Sequence, residues 1–154
     1  MSDGCPGSKT MDFSEKDEQV AETGERQSQL KQWPIQMHLV SPKAPYFQEK
    51  DVLLAADCVP FALADFHKDY LKGKSLAIAC PKLDQQQEIY TEKIKDLIDE
   101  SKINTLTVMI MQVPCCMGLT QIAKAGADQA TRKIPIKQVV VSVEGGQVLS
   151  EEWV

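Results

Sequence analysis

The chain has 154 residues and a net charge of −5 at pH 7, enough length for one domain with a sizeable core. Its 43% hydrophobic and 25% charged residues are ordinary for a soluble globular protein. The acidic balance and the lack of a basic stripe argue against nucleic acid as a partner; no apolar run has membrane length; and MSDGCPGSKTMDF has no basic region leading into an apolar one, so a cytoplasmic location is expected.

In chain order, residues 1–32 read as a flexible or surface-draped N-terminal segment. GCPGS stands at 4–8. SEKDEQVAETGERQSQLKQ, at 14–32, holds too little apolar surface to offset its ordering entropy. A domain is expected over 33–154. Pro34–Val40 reads as a first strand and Ser41–Tyr46, with two prolines, as a loop. Asp51–Ala56 is a second strand with a continuous apolar run. Val59, Leu63, Phe66 and Tyr70 then recur at helical spacing, and Gly73 closes that helix. Ser75–Ala79 is the third strand. Asp84 is placed to cap the next helix, with Gln87 completing a capping box, and Tyr90, Ile94, Leu97 and Ile98 line its buried face. Thr105–Val113 is the fourth strand. Leu119, Ile122, Ala123, Ala127 and Ala130 mark a small-residue helix suited to close packing on the sheet. Lys137–Val143 is the fifth strand; Gly145-Gly146 makes a turn before a short tail.

Strands alternating with helices predict an α/β fold. The expected form is a mainly parallel five-stranded sheet with helices on both faces, three layers of the Rossmann or flavodoxin kind. Right-handed crossovers put the strand-to-helix loops on one edge, where such sheets bind ligands.

Four of the five cysteines fall at that edge. Cys58 ends DVLLAADC, Cys80 ends SLAIAC, and Cys115 and Cys116 end TLTVMIMQVPCC. In a reducing compartment such thiols suit metal binding or catalysis better than disulfides. The spacing is neither a compact zinc ribbon nor a ferredoxin run, so the four can meet only through the fold. Helix N-termini facing them would lower their pKa values and favour thiolate. Four thiolates match both a 4Fe–4S cluster and a tetrahedral zinc site. Burial as small core side chains is the plainer alternative, but an adjacent pair cannot both point into one core face. Cys5, in GCPGS, is either a terminal thiol or a fifth member of the site.

Other candidates are weaker. His67, with Asp65, could supply a proton or a ligand, although a solvated helix face also explains it. His38 sits in the first strand. Lys82 could offset cluster charge or dock a partner. Met109 and Met111 alternate into the core. No G-x-G-x-x-G, Walker A loop or G-x-S-x-G elbow is present.

QWPIQMHLVSPKAPYF, DVLLAADCVPFALADFHKDYLKGK, LAIACPKLD and MQVPCCMGL, preceded by GCPGS, resemble a family of prokaryotic, mostly anaerobe 4Fe–4S cluster-binding proteins. The resemblance covers residues 4–13 and about 33–154. It implies a cluster-ligand role for Cys58, Cys80, Cys115 and Cys116, with Cys5 a further cofactor-binding participant. Two departures stand out. The family's N-terminal ferredoxin-type module is missing, which implies that the electron-delivery module is a separate protein or is absent, and Met117 replaces the family's usual glycine. The leading expectation is a 4Fe–4S electron-transfer protein that works with a ferredoxin or an oxidoreductase. The alternatives are a small redox enzyme with an open or thiol-exchangeable iron and a structural zinc-binding interaction domain.

Overall fold

A computed structural model describes residues 24–144 and 146–154. Its centre is a five-stranded sheet of β1 (Asp51–Ala56), β2 (Ser75–Ala79), β3 (Thr105–Met111), β4 (Ile136–Val141) and β5 (Val148–Trp153). The spatial order is β2-β1-β3-β4-β5; β5 is antiparallel to β4 and the other pairings are parallel. Val52–Ala56 and Leu106–Met111 are buried without alternation, as expected of parallel strands covered on both faces. The α/β expectation holds.

Strand membership differs from expectation at both ends of the sheet. Residues 34–40 make no strand. Gln36 forms one bridge to Ile78 at the β2 edge, after which Leu39 and Val40 both turn back to bond the Gln36 carbonyl. Lys93 fixes that turn by donating to the carbonyls of Met37, His38 and Val40 at 2.8–3.0 Å. The fifth strand is instead the supposed tail, paired to β4 across an irregularity at Val140/Val141.

Three helices connect the strands: α1 (Val59–Ala62), α2 (Glu88–Asp99) and α3 (Met117–Gln129). The stretch after Cys58 is not one helix. Leu63 is extended and the Ala62 carbonyl accepts from the Gly146 N–H, so the chain re-coils only as a wide turn over His67–Leu71. Val59, Leu63 and Phe66 are nevertheless buried as the spacing predicts. Gly73 closes the turn at φ 79°, the left-handed conformation that favours glycine. Right-handed crossovers put this β1–β2 connection on one face of the sheet and α2 and α3 on the other. The small residues of α3 serve the neighbouring helix: a Cβ on Gly126 would stand 2.7 Å from Ile94 Cγ2.

Residues 24–32 lie along the domain. Arg26 Nε donates to Asp65 Oδ1 at 3.0 Å, and the Gln32 amide pairs with both backbone groups of Leu76 at 2.7 Å. Residues 1–23, with GCPGS and Cys5, fall outside the described residues, as does Gly145.

Candidate functional site

The chain runs from β1 outward to β2 on one side and to β3 on the other. The boundary between β1 and β3 is therefore the point where strand order reverses, the place where open α/β sheets bind ligands. The three strands end at nearly one level, since Ala56 pairs with Ala79 and Ala55 with Met109. Cys58, Cys80 and the Cys115–Cys116 pair leave from those ends, in the order and on the edge expected.

The four thiols differ in setting. Cys58 is exposed and the other three are partly covered, and none of the four is in a disulfide. Cys116 packs against the core, and the Cys115 and Cys58 thiols lie near enough to raise its pKa, so the first and third loops adjoin. The second loop joins them through Pro81, whose Cβ lies 3.3 Å from where a Cβ on Gly118 would sit. That glycine, in the first turn of α3, lets the Cys80 and Cys116 loops close up. Among the described residues, no group of three or more His, Cys, Asp and Glu side chains is placed to hold a metal ion. The donor types fit a thiolate-bound centre, but the loops would have to draw closer to coordinate one.

The expected lowering of thiol pKa fails at Cys116. Burial pushes its thiol up to about 11, with the neighbouring Cys115 and Cys58 adding to the rise and a backbone hydrogen bond at Met111 opposing it. Desolvation dominates here because Cys116 packs against the core.

Cys80 is the most firmly held. Leu83 N–H points at its Sγ over 3.3 Å, and its own N–H donates to Asp84 Oδ2 at 3.0 Å. The same carboxylate oxygen accepts from the Tyr90 hydroxyl and, at 3.1 Å, from Gln36 Nε2. Asp84 thus locks the loop and does not cap α2, which starts four residues later at Glu88 with no side-chain cap. His38 stacks on Tyr90 with ring centroids 4.4 Å apart, and its Nε2 lies 2.7 Å from the Gln85 carbonyl.

Two further polar groups went unsuspected in the sequence. Asp57 Oδ1 and Thr120 Oγ1 are buried without a hydrogen-bond partner. Burial first, and then the Asp84 carboxylate, hold the Asp57 carboxyl above the usual carboxylate range. The AADC run that ends β1 contained the only hint, an acid next to a candidate ligand.

His67 belongs elsewhere. Its Nδ1 accepts the Gln29 N–H at 3.0 Å, beside an open 620 Å³ cleft lined by Arg26, Asp65 and Lys68 and by none of the cysteines. The Arg26 hydrogen bond keeps the Asp65 carboxyl below its ordinary range. Lys82 is exposed next to the Cys80 loop; Met109 and Met111 are core.

A family model described as a Rossmann-like domain matches residues 44–154. A protein from Archaeoglobus fulgidus, described as uncharacterized, is 31% identical over 117 residues, which span 76% of this chain and 81% of that relative. No solved structure matches the chain. No helix among the described residues is long and apolar enough to cross a membrane.

Proposed function

Because the chain belongs to the Rossmann-like domain family, in whose kind of sheet ligands sit beyond the strand ends, we propose that its thiol edge binds a 4Fe–4S cluster. Cys58, Cys80, Cys115 and Cys116 would be the ligands, and the protein would serve electron transfer, working in the cytoplasm with a ferredoxin or an oxidoreductase. One observation carries this reading: four cysteines, none in a disulfide, leave three adjacent strand ends at the strand-order reversal. The resemblance of the cysteine-bearing blocks to 4Fe–4S proteins favours iron–sulfur over zinc.

A bound cluster would take up and return electrons; the residues around it would set its binding and potential. The Leu83 N–H aimed at Cys80 Sγ stabilises thiolate and raises the potential of a cluster bound there. Asp84 holds that loop in place. Exposed Cys58 puts one corner of the site at the surface, where a redox partner can approach. Cys116 must give up its proton to become a ligand, so cluster or metal affinity rises with pH.

The test is anaerobic purification or reconstitution, followed by iron, sulfide and zinc analysis and EPR. The expected result is about four irons and four sulfides per chain, lost in Cys→Ser variants at the four positions. One zinc without sulfide would replace the reading with a structural zinc domain. An EPR signal that shifts when a small ligand is added would point to an open iron and an enzyme. Protein without either metal would refute the proposal.

A further inference from the structure

Among the described residues, the two buried side-chain polar atoms without a hydrogen-bond partner belong to Asp57 and Thr120. Both residues stand beside a thiol in the chain. Asp57 directly precedes Cys58, and Thr120 follows Cys116 by one helical turn. Buried polar groups are almost always paired, and one that is not asks for a chemical reason.

Thr120 supplies the sharper case. It is 5% exposed, and Leu119 and Ala123 on the same helix are 0% exposed. Cys116 precedes α3 with φ −75° and ψ −20°, so the helical course already includes it. Positions 116, 119, 120 and 123 therefore share the buried face of α3. Cβ atoms four residues apart on a helix lie about 5–6 Å from each other, and helical side chains lean toward the N-terminus. The Thr120 side chain thus leans toward Cys116, whose sulfur is within a rotamer's reach of the hydroxyl. A helical threonine commonly donates to the carbonyl four residues back, here that of Cys116, and Thr120 does not. Its proton stays uncommitted beside a neutral thiol, which is a weak acceptor. A metal-bound thiolate is a strong one.

We propose that Thr120 is a positioning residue of the thiol site, its hydroxyl donating to the Cys116 sulfur once that sulfur binds a metal. The bond would fix the ligand's orientation and raise the potential of a cluster held there. The inference rests on the thiol edge being a metal or cluster site.

The experiment uses the full chain and two variants. Thr120→Val removes the hydroxyl at nearly constant shape, and Thr120→Ser keeps it. In the metal-free protein Thr120→Val is expected to melt above the parent, because a buried unpaired hydroxyl gives way to a methyl. With cobalt(II) as the probe, Thr120→Val should bind about tenfold more weakly, the worth of one hydrogen bond to a charged acceptor. Its sulfur-to-cobalt charge-transfer band should shift, and Thr120→Ser should restore both. In the cluster-loaded protein Thr120→Val should lower the midpoint potential, and Thr120→Ser should return it to the parent value. A metal-free Thr120→Val that melts below the parent would overturn the proposal, since the hydroxyl would then have a partner without any metal. Equal cobalt affinity, band and potential in all three proteins would overturn it and leave the cluster reading intact. The expected cobalt effects in a chain that assembles no cluster would refute the cluster and leave the role of Thr120 standing. A chain that takes up neither cobalt nor a cluster would overturn both.

Discussion

Asp84→Ala is the most informative single change at the thiol edge. It removes the acceptor shared by Cys80 N–H, the Tyr90 hydroxyl and Gln36 Nε2. Gln36 keeps a partner, because its amide also donates to Tyr90. Tyr90 is 1% exposed, so its hydroxyl and the Cys80 N–H become orphans. Each orphaned donor costs roughly 1–3 kcal/mol. With some water reaching the half-covered loop, the loss should total about 2–4 kcal/mol, or about 4–16 °C in Tm for a domain of this size. Guanidinium unfolding of the metal-free protein would show it as a lower midpoint at constant m. Asp84→Asn retains an acceptor and should cost clearly less. A loss within about 0.5 kcal/mol for Asp84→Ala, the scale of an ordinary surface change, would refute the assignment of Asp84 as the lock on this loop. The Asn variant also carries a pH signature through Asp57. Its carboxyl is raised, so the native state holds the proton more tightly than the unfolded chain does. That stabilisation is complete below the unfolded pKa of 3.8 and is lost as pH climbs through the raised value. Without the Asp84 charge the rise is smaller, and the Asn variant should lose less stability than the parent over that window.

At Gly126 a Cβ would meet Ile94 Cγ2 at 2.7 Å and the Thr91 carbonyl at 2.9 Å. Gly126→Ala should therefore destabilise by about 1–2 kcal/mol, overpacking outweighing a helix-propensity gain of about 1 kcal/mol; a more stable variant in chemical denaturation would contradict close α2–α3 packing. In the reduced, metal-free protein, alkylation at pH 8 should modify Cys116 last, since burial holds its thiol near 11. Mass spectrometry that found it first would contradict its burial. Burial, aided by Glu151, pushes Tyr70 up to about 12. The native state therefore keeps this proton: the contribution is full below the unfolded pKa of 10.0 and is lost as pH rises through about 12. Tyr70→Phe should flatten alkaline unfolding between those values, and an unchanged profile would count against the Tyr70–Glu151 contact.

The central strands were legible because burial on both faces writes itself as unbroken apolar runs: DVLLAA and SLAIA became β1 and β2 with the bounds expected. The sheet edges were not. Pro34–Val40 has strand-like residues, but its backbone groups go to a turn held by Lys93, fifty-odd residues downstream. β5 is mostly exposed and lacks an apolar signature, so only its pairing with β4 makes it a strand. The Asp84-x-x-Gln87 spacing imitates a helix cap, yet Cys80 and Tyr90 claim the carboxylate.

For the site, sequence alone determined which strand ends carry the four cysteines and on which edge of the sheet, because each cysteine follows a strand whose direction and crossover are fixed by local pattern and chain handedness. Only tertiary structure decided how they differ. Cys58 is left exposed, Cys80 is locked by Asp84, and Cys116 is packed in and kept protonated. Burial and hydrogen bonding depend on partners far away in the chain, such as Tyr90, Gln36 and Pro81, and no local pattern encodes them.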